Sequence, residues 1–271
     1  MKYKPEYNLH KNNVACKLFV SDANEFLINL REQYLHIAIE RPKLIFFDPP
    51  FNMSRNYDSC SDNVSRVEYL SSLKSWIENS ALLLCTTGSL WINLPDQWAA
   101  HAVVFAEQFG MKLENWCIWH YRFGVNQPKR FIKSKNHALW FSFGSPEINP
   151  EAAKVPSDRA TIYNDGRIFE SESGGMRMDL DVWGFDQYWG RVQGNNKERR
   201  HLHDNQLPEL YLKRIVEVCS NPGDLVVDPF CGSGTTATVA VELGRNVYTN
   251  DISSAYIDSA YNRVMKGMVR K

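Results

Sequence analysis

Asp228-Pro229-Phe230-Cys231-Gly232-Ser233-Gly234-Thr235-Thr236-Ala237 follows the apolar run Leu225-Val226-Val227 and opens a helix-forming stretch that reaches about Leu243. A buried strand, a tight glycine turn and a helix, in that order, begin a βαβ unit. Gly232 and Gly234 let the backbone turn sharply and approach a ligand closely. The next strand candidate, Asn246 to Thr249, leads to Asp251, an acid placed to take both hydroxyls of a ribose. No lysine follows the glycines, so this is not a Walker phosphate loop. Taken alone, Gly-x-Gly-x-x-Ala also fits a nicotinamide enzyme.

A second segment narrows the class. Lys43 to Phe47 (KLIFF) is another strand-length apolar run, and it ends in Asp48-Pro49-Pro50-Phe51-Asn52. The prolines end the regular structure and stiffen the turn. A carboxylate, a carbonyl outside any helix and an aromatic face then stand in a row at the carboxyl end of a strand. In an open α/β sheet that is where ligands bind.

Around these two turns the pattern alternates. Strands are expected at Cys16–Val20, Ser89–Leu94, Asn115–His120 and Ala138–Phe143. Helices are expected from Ser21-Asp22 to about Tyr34, from about Ser65 to Leu84, over Gln97–Phe109, over Leu207–Cys219 and from Ser253 to about Met265. Strands alternating with helices predict an α/β fold: a mostly parallel, doubly wound, Rossmann-like sheet. The whole chain, 1–271, reads as one domain, with an inserted segment at about 145–200 that is rich in Gly, Asp, Ser and Arg and weakly periodic.

Hydrophobic residues make up 44% of the chain and charged ones 23%, ordinary globular values, and no apolar run is long enough to cross a membrane. The expectation is a cytoplasmic protein with no membrane contact. None of the six cysteines stands at Cys-x-x-Cys spacing, so no metal is expected and the thiols read as small buried hydrophobes. Net charge is zero, but its distribution is uneven. From Arg122 to His137 the charged residues are Arg122, Lys129, Arg130, Lys133 and Lys135, without an acid, and a second basic group follows at Arg191, Lys197, Arg199 and Arg200. Local basic stripes on a neutral protein suit phosphate contact, and equally a solvated loop face. Trp183, Tyr188 and Trp189 read either as core residues or as residues that contact a nucleic acid or close a base pocket.

Asp-Pro-Pro-Phe followed far downstream by Asp-Pro-Phe-Cys-Gly-Ser-Gly-Thr resembles the amino-group DNA methyltransferases, in the circularly permuted motif order of the beta class. The likeness runs from about Phe19 to Arg263. It implies S-adenosyl-L-methionine as cofactor, double-stranded DNA as substrate, a cognate restriction endonuclease as a candidate partner, and a monomer or homodimer. It assigns catalysis to Asp48, Pro49, Pro50 and Phe51. It assigns cofactor binding to Asp22 and Ala23 (the adenine), to Asp228, Phe230, Gly232, Gly234, Thr235 and Asp251, and to Gln206 in the segment His203–Pro208 beside the methionine part. That segment departs from the family pattern at Asp204, Asn205 and Leu207, and it lacks the usual lysine. Segment 145–200 becomes the target-recognition insertion, and Arg122, Lys129, Arg130, Lys133, Lys135, Lys197, Arg199 and Arg200 become DNA contacts.

The chemistry suits these residues. The lone pair of an aromatic amine is delocalised into its ring. Acceptors aimed at its two N–H bonds, the Asp48 carboxylate and the Pro49 carbonyl, favour a pyramidal nitrogen in the transition state. The target atom is unreachable inside a duplex, so the base must be flipped out. Methylation at C5 of cytosine needs a Pro-Cys nucleophile, and none of the twelve prolines precedes a cysteine. Asp at position 48 resembles the adenine-N6 members, and cytosine-N4 is the alternative. A nicotinamide oxidoreductase leaves Asp-Pro-Pro-Phe unexplained, and a catalytically silent DNA-binding subunit leaves the intact Asp48 unexplained.

Overall fold

The computed structural model describes residues 3–11, 13–36, 41–53, 63–121, 124, 126–184, 192, 198–199 and 205–269. In chain order the elements are β1 (Tyr7–Lys11), β2 (Val14–Val20), α1 (Ala23–His36), β3 (Leu44–Phe47), α2 (Arg66–Leu83), β4 (Ser89–Leu94), α3 (Asp96–Gln108), β5 (Lys112–His120), β6 (Lys135–Ser142), β7 (Lys154–Pro156), α4 (Asp158–Thr161), β8 (Met176–Met178), β9 (Val182–Trp183), α5 (Glu209–Cys219), β10 (Leu225–Asp228), α6 (Thr235–Glu242), β11 (Asn246–Asp251) and α7 (Ser254–Val269).

One nine-stranded sheet runs β1-β2-β11-β10-β3-β4-β6-β5-β9. Pairing is parallel from β2 through β11, β10 and β3 to β4, and antiparallel where β6 meets β4 and β5. β3 (Leu44–Phe47) and the first three residues of β10 (Leu225, Val226, Val227) are wholly apolar because both faces of the sheet are covered there. In β3, Leu44 and Phe46 pack with Tyr211, Leu212, Ile215 and Val216 of α5 and with Ala237, Val239 and Ala240 of α6. The alternate residues Ile45 and Phe47 pack with Phe26 and Leu27 of α1 and with Leu73 and Ile77 of α2. A strand period of two therefore feeds two separate cores.

The sheet order displays the permutation. The last unit of the sequence, β10-α6-β11, inserts between β2 and β3. From β3 the chain steps outward to β4, whereas from β10 it steps the opposite way to β11. The boundary between β3 and β10 is thus a topological switch point, where a crevice opens beyond the carboxyl ends of the strands.

Several details differ from the sequence reading, among them the start of β6 at Lys135 ahead of the expected Ala138. β1, in a stretch that reads only as polar, pairs antiparallel with β2 from Tyr7↔Leu18 to Lys11↔Val14. β5 starts at Lys112, ahead of the expected Asn115. The described part of segment 145–200 is only partly separate from the core: β7 and β8 form their own ladder, but β9 joins the main sheet beside β5. Trp183 of β9 is buried against Trp91 and Tyr211, so it is a core residue. Tyr188 and Trp189 lie outside the described residues.

Gly234 has a further reason for being glycine. Its φ is +74°, and a Cβ there would stand 2.7 Å from the Ala260 Cβ on α7. The left-handed φ agrees with the expected tight turn, and the close approach it permits is to helix α7. Gly234→Val is expected to destabilise the fold by at least about 2 kcal/mol, from left-handed strain plus overpacking. Thermal unfolding of the cofactor-free protein checks this: a midpoint equal to wild type would contradict it.

Candidate active site

At the switch point, the turn after β3 and the turn after β10 face one another across a cavity of about 320 Å³. Its lining includes Asp22, Ala23, Asp48, Pro49, Pro50, Phe51, Asp228, Phe230, Gly232, Thr235 and Asp251, residues that lie as far apart as the two ends of the sequence. A second cavity of about 340 Å³ adjoins it, lined among others by Trp119, Tyr121, Arg130, Lys133, Lys135 and Asn136. Asp48, Phe51, Asn205 and Leu207 line both.

The Asp48 turn is held from several sides. Asn93 of β4 donates from Nδ2 to Asp48 Oδ1 at 2.7 Å. Tyr69 donates its hydroxyl to the Pro50 carbonyl at 2.7 Å, and Trp98 donates from Nε1 to the Phe51 carbonyl at 2.7 Å. Among the described residues nothing donates to the Pro49 carbonyl. Asn52, at φ +54°, closes the turn by bonding both backbone groups of Val64. Neighbouring carbonyls are thus occupied, while Asp48 lines both cavities and Pro49 lines the first. Ordering by such prior hydrogen bonds is what makes acceptors effective at a reacting centre.

The glycine turn is built on one buried acid, Asp228, and one half-buried acid, Asp251. Asp228 accepts from the Phe230 N–H at 2.9 Å, and its near-complete burial, helped by the Asp251 charge, pushes its carboxyl up to about 7. Asp251 accepts from the Gly232 N–H at 2.8 Å and the Ser253 N–H at 3.0 Å, while burial raises its pKa as well. Asn250, fully buried, donates to the Ser21 and Pro229 carbonyls and so ties the β2 end to the glycine turn. Arg263 of α7 donates to the Ser233 carbonyl and Thr235 Oγ1, both at 2.9 Å, and pairs with Glu209 of α5. Asp22 caps α1, with Oδ1 accepting from the Asn24 N–H at 2.8 Å.

Two expected cofactor residues fall elsewhere. Gly234 faces α7, as described above. Gln206 lines the second cavity rather than the first, and its Nε2 donates to the Glu198 carbonyl at 2.7 Å. Of the expected DNA contacts, Arg130, Lys133 and Lys135 rim the second cavity and Lys129 is exposed. The stripe is not free of acid in space: Lys133 and Lys135 both reach Asp96, at 3.7 and 3.1 Å. Asp96 is itself fixed by His137, whose Nε2 lies 2.8 Å away and whose Nδ1 accepts from Trp116 Nε1. That acceptor role assigns the ring proton to Nε2. Arg199 is half-buried, and Arg122, Lys197 and Arg200 lie outside the described residues.

Sequence reasoning missed Asn93, Asn250, Asp96 and Arg263. For Asn93 the available signal was an amide inside an apolar run, Trp91-Ile92-Asn93-Leu94; Asn250, Asp96 and Arg263 carried no such signal. Burying an amide is costly unless it has partners.

A cavity walled by carboxyl groups, of which Asp228 is buried and Asp48 and Asp251 half-buried, and by Phe46, Phe230 and Trp76 suits a ligand that is cationic at one end and a nucleoside at the other. A permuted sheet with a glycine turn and a proline platform at one switch point is the fold of the S-adenosylmethionine-dependent methyltransferases. It superposes on the M1.HpyAVI–SAM complex with a TM-score of 0.64 at 19% identity, covering 92% of this chain and 98% of that one. It superposes on the cytosine-N4-specific PvuII DNA methyltransferase with a TM-score of 0.69 at 16% identity, covering 98% and 94%. The chain belongs to the DNA methylase family of N6 and N4 methyltransferases, whose profile matches residues 43–262. It is 33% identical to the Type II methyltransferase M1.MboII of Moraxella bovis over 258 residues, covering 90% of this chain and 94% of that one. It is 30% identical to the DNA adenine methyltransferase YhdJ of Escherichia coli over 240 residues, covering 84% and 78%. The protein is therefore a DNA methyltransferase with S-adenosylmethionine as cofactor. Among the described residues no helix is long and apolar enough to cross a membrane.

The Asp228 carboxyl gives a stability test. Its pKa is raised to about 7 in the fold, against roughly 4 in an unfolded chain. The folded state then holds the proton more tightly, so this site's stabilisation is complete below about pH 4 and is lost as pH rises through 7. Asp228→Asn keeps an oxygen for the Phe230 N–H and removes the titration. In the cofactor-free protein its melting temperature is expected to fall less than that of wild type between pH 5.5 and pH 8. An equal fall in both proteins would contradict the assignment.

Proposed function

We propose that this methyltransferase transfers the methyl group to the N6 amino group of adenine at a specific site in duplex DNA. The observation that supports transfer to a base amine is the position of Asp48 at the junction of two cavities, its Oδ1 already held by Asn93. One cavity suits the cofactor and the other a flipped base.

On this reading Asp251 takes the ribose hydroxyls, Asp22 the adenine, and Phe230, Gly232 and Thr235 enclose the rest. Bound S-adenosylmethionine supplies an electrophilic methyl carbon on a sulfonium sulfur. The protein places the base nitrogen in line with it, which is the larger part of the work. Asp48 and the Pro49 carbonyl accept from the two N–H bonds of the base amine and draw its lone pair out of the ring plane. Phe51 stacks on the base, with Trp119 and Tyr121 as further aromatic walls. Arg130, Lys133 and Lys135, with Lys129 beside them, meet phosphates at the rim.

The adenine preference rests on the Asp-Pro-Pro-Phe form and on the likeness to the adenine enzyme YhdJ. Both amines present the same two N–H bonds to Asp48, so cytosine N4 is the second reading, favoured by the likeness to the PvuII enzyme. The proposal extends to a cognate restriction endonuclease of the same site, the partner that the sequence resemblance implies. Nucleoside mass spectrometry of enzymatically methylated duplex is expected to show N6-methyladenine. N4-methylcytosine alone would move the substrate to cytosine and leave the catalytic residues standing.

Asn93 provides a second test. Asn93→Leu removes one charge-assisted hydrogen bond and is expected to lower kcat by about 10- to 100-fold with little change in cofactor affinity. Asn93→Asp puts a second carboxylate beside Asp48 and is expected to move the acidic limb of the pH–rate profile upward. Wild-type kcat in both variants would remove Asn93 from the site.

A further inference from the structure

Between β5 and β6, residues Gly124, Gln127, Arg130, Phe131 and Lys133 of the connecting segment line the second cavity. The base of this loop is fixed. Tyr121 N–H donates to the Ser134 carbonyl at 2.8 Å, which continues the hairpin past the strands. Gly124 is packed so closely on the returning limb that a Cβ would lie 2.4 Å from Ile132 Cγ2 and 2.4 Å from the Lys133 carbonyl. Lys133 and Lys135 are tethered to Asp96, which His137 holds in turn.

From this fixed base one side chain projects. Phe131 is 99% exposed, and Ile132 beside it is 48% exposed. A fully hydrated aromatic ring is unfavourable for an isolated chain. Its neighbours are Lys129, Arg130 and Lys133, and with Arg130 it lines the mouth of the cavity that Asp48 shares. A cationic rim around a bare aromatic ring matches a partner that is anionic outside and apolar within. Duplex DNA is such a partner, with phosphates on its surface and stacked base faces inside. A second copy of this chain would bring the same cations against themselves.

We propose that Phe131 is a wedge that enters the base stack of duplex DNA and fills the gap left when the target base turns into the second cavity. This rests on the function proposed above. Extruding a base loses its stacking on both sides and its pairing. A ring inserted at the vacated position replaces the stacking contacts, while Lys129 and Arg130 hold the flanking phosphates. Phe131 touches neither cofactor nor reacting atoms; it acts on the position of the base.

The test compares wild type with Phe131→Ala and Phe131→Trp on two duplexes. In one the target base is paired. In the other an abasic site stands opposite it, so that less work is needed to extrude it. Single-turnover methyl transfer by Phe131→Ala is expected to fall about tenfold or more on the paired duplex and to recover to within about threefold of wild type on the other. Phe131→Trp is expected to retain transfer on both. With 2-aminopurine at the target position, the fluorescence rise on binding should shrink in Phe131→Ala. Equal slowing on both duplexes, or no slowing on either, overturns the wedge. Equal slowing together with a wild-type dimer that becomes a monomer in Phe131→Ala, by sedimentation, assigns the ring to contact between copies instead. Absence of transfer by wild type on both duplexes overturns the proposed function itself, a result distinct from wild-type transfer without a substrate-dependent Phe131 effect.

Discussion

The parallel pairing of β10 with β3, Val226↔Leu44 and Val227↔Ile45, is the constraint on which the site depends. It brings residues from the first fifth and the last fifth of the chain to the same edge of one sheet. Each strand is followed by a turn that cannot continue it: two prolines after β3, a proline and two glycines after β10. Both turns must therefore open into the same crevice. The flanking helices make the pairing rigid, because alternate side chains of β3 are clamped in different cores. A slip of one residue would exchange those cores and carry Asp48 away from Asp228.

Much of the polar structure near the crevice serves to keep acids where water is scarce. Asp228 and Asp251 each accept backbone N–H bonds from the turn they stabilise, yet burial still raises both pKa values. Asp48 leans on an amide that is itself buried, and Asn93 Oδ1 has no partner among the described residues. These features cost stability and are hard to explain as packing. They set fixed acceptors around the crevice, an arrangement that the proposed function would use to bring a cationic cofactor and an amine substrate together. Such local conflicts with folding are expected at functional sites.

Strands and helices with strong periodicity were legible from the sequence, and so were both turns, because proline and glycine carry their backbone meaning locally. What escaped was information held in register and tertiary contact. β1 alternates in a polar sequence and gains order only by pairing with β2. Gly234 reads as a ligand-facing glycine, but its neighbour is Ala260, visible only once α7 is laid across the turn. Gln206 sits one residue from Asn205 and Leu207 and still misses the first cavity. The basic stripe looked free of acid because Asp96 lies on another element, at the start of α3. Asn93 reads as a flaw in an apolar strand until the strand order sets it beside Asp48.

In the proposed function Asp48 acts in methyl transfer rather than in holding the cofactor, and one variant separates the two. In Asp48→Ala, titration calorimetry with S-adenosylmethionine is expected to give an affinity within about twofold of wild type, while single-turnover methyl transfer to duplex DNA falls by on the order of a hundredfold or more. Near wild-type transfer in a folded Asp48→Ala protein would contradict the account.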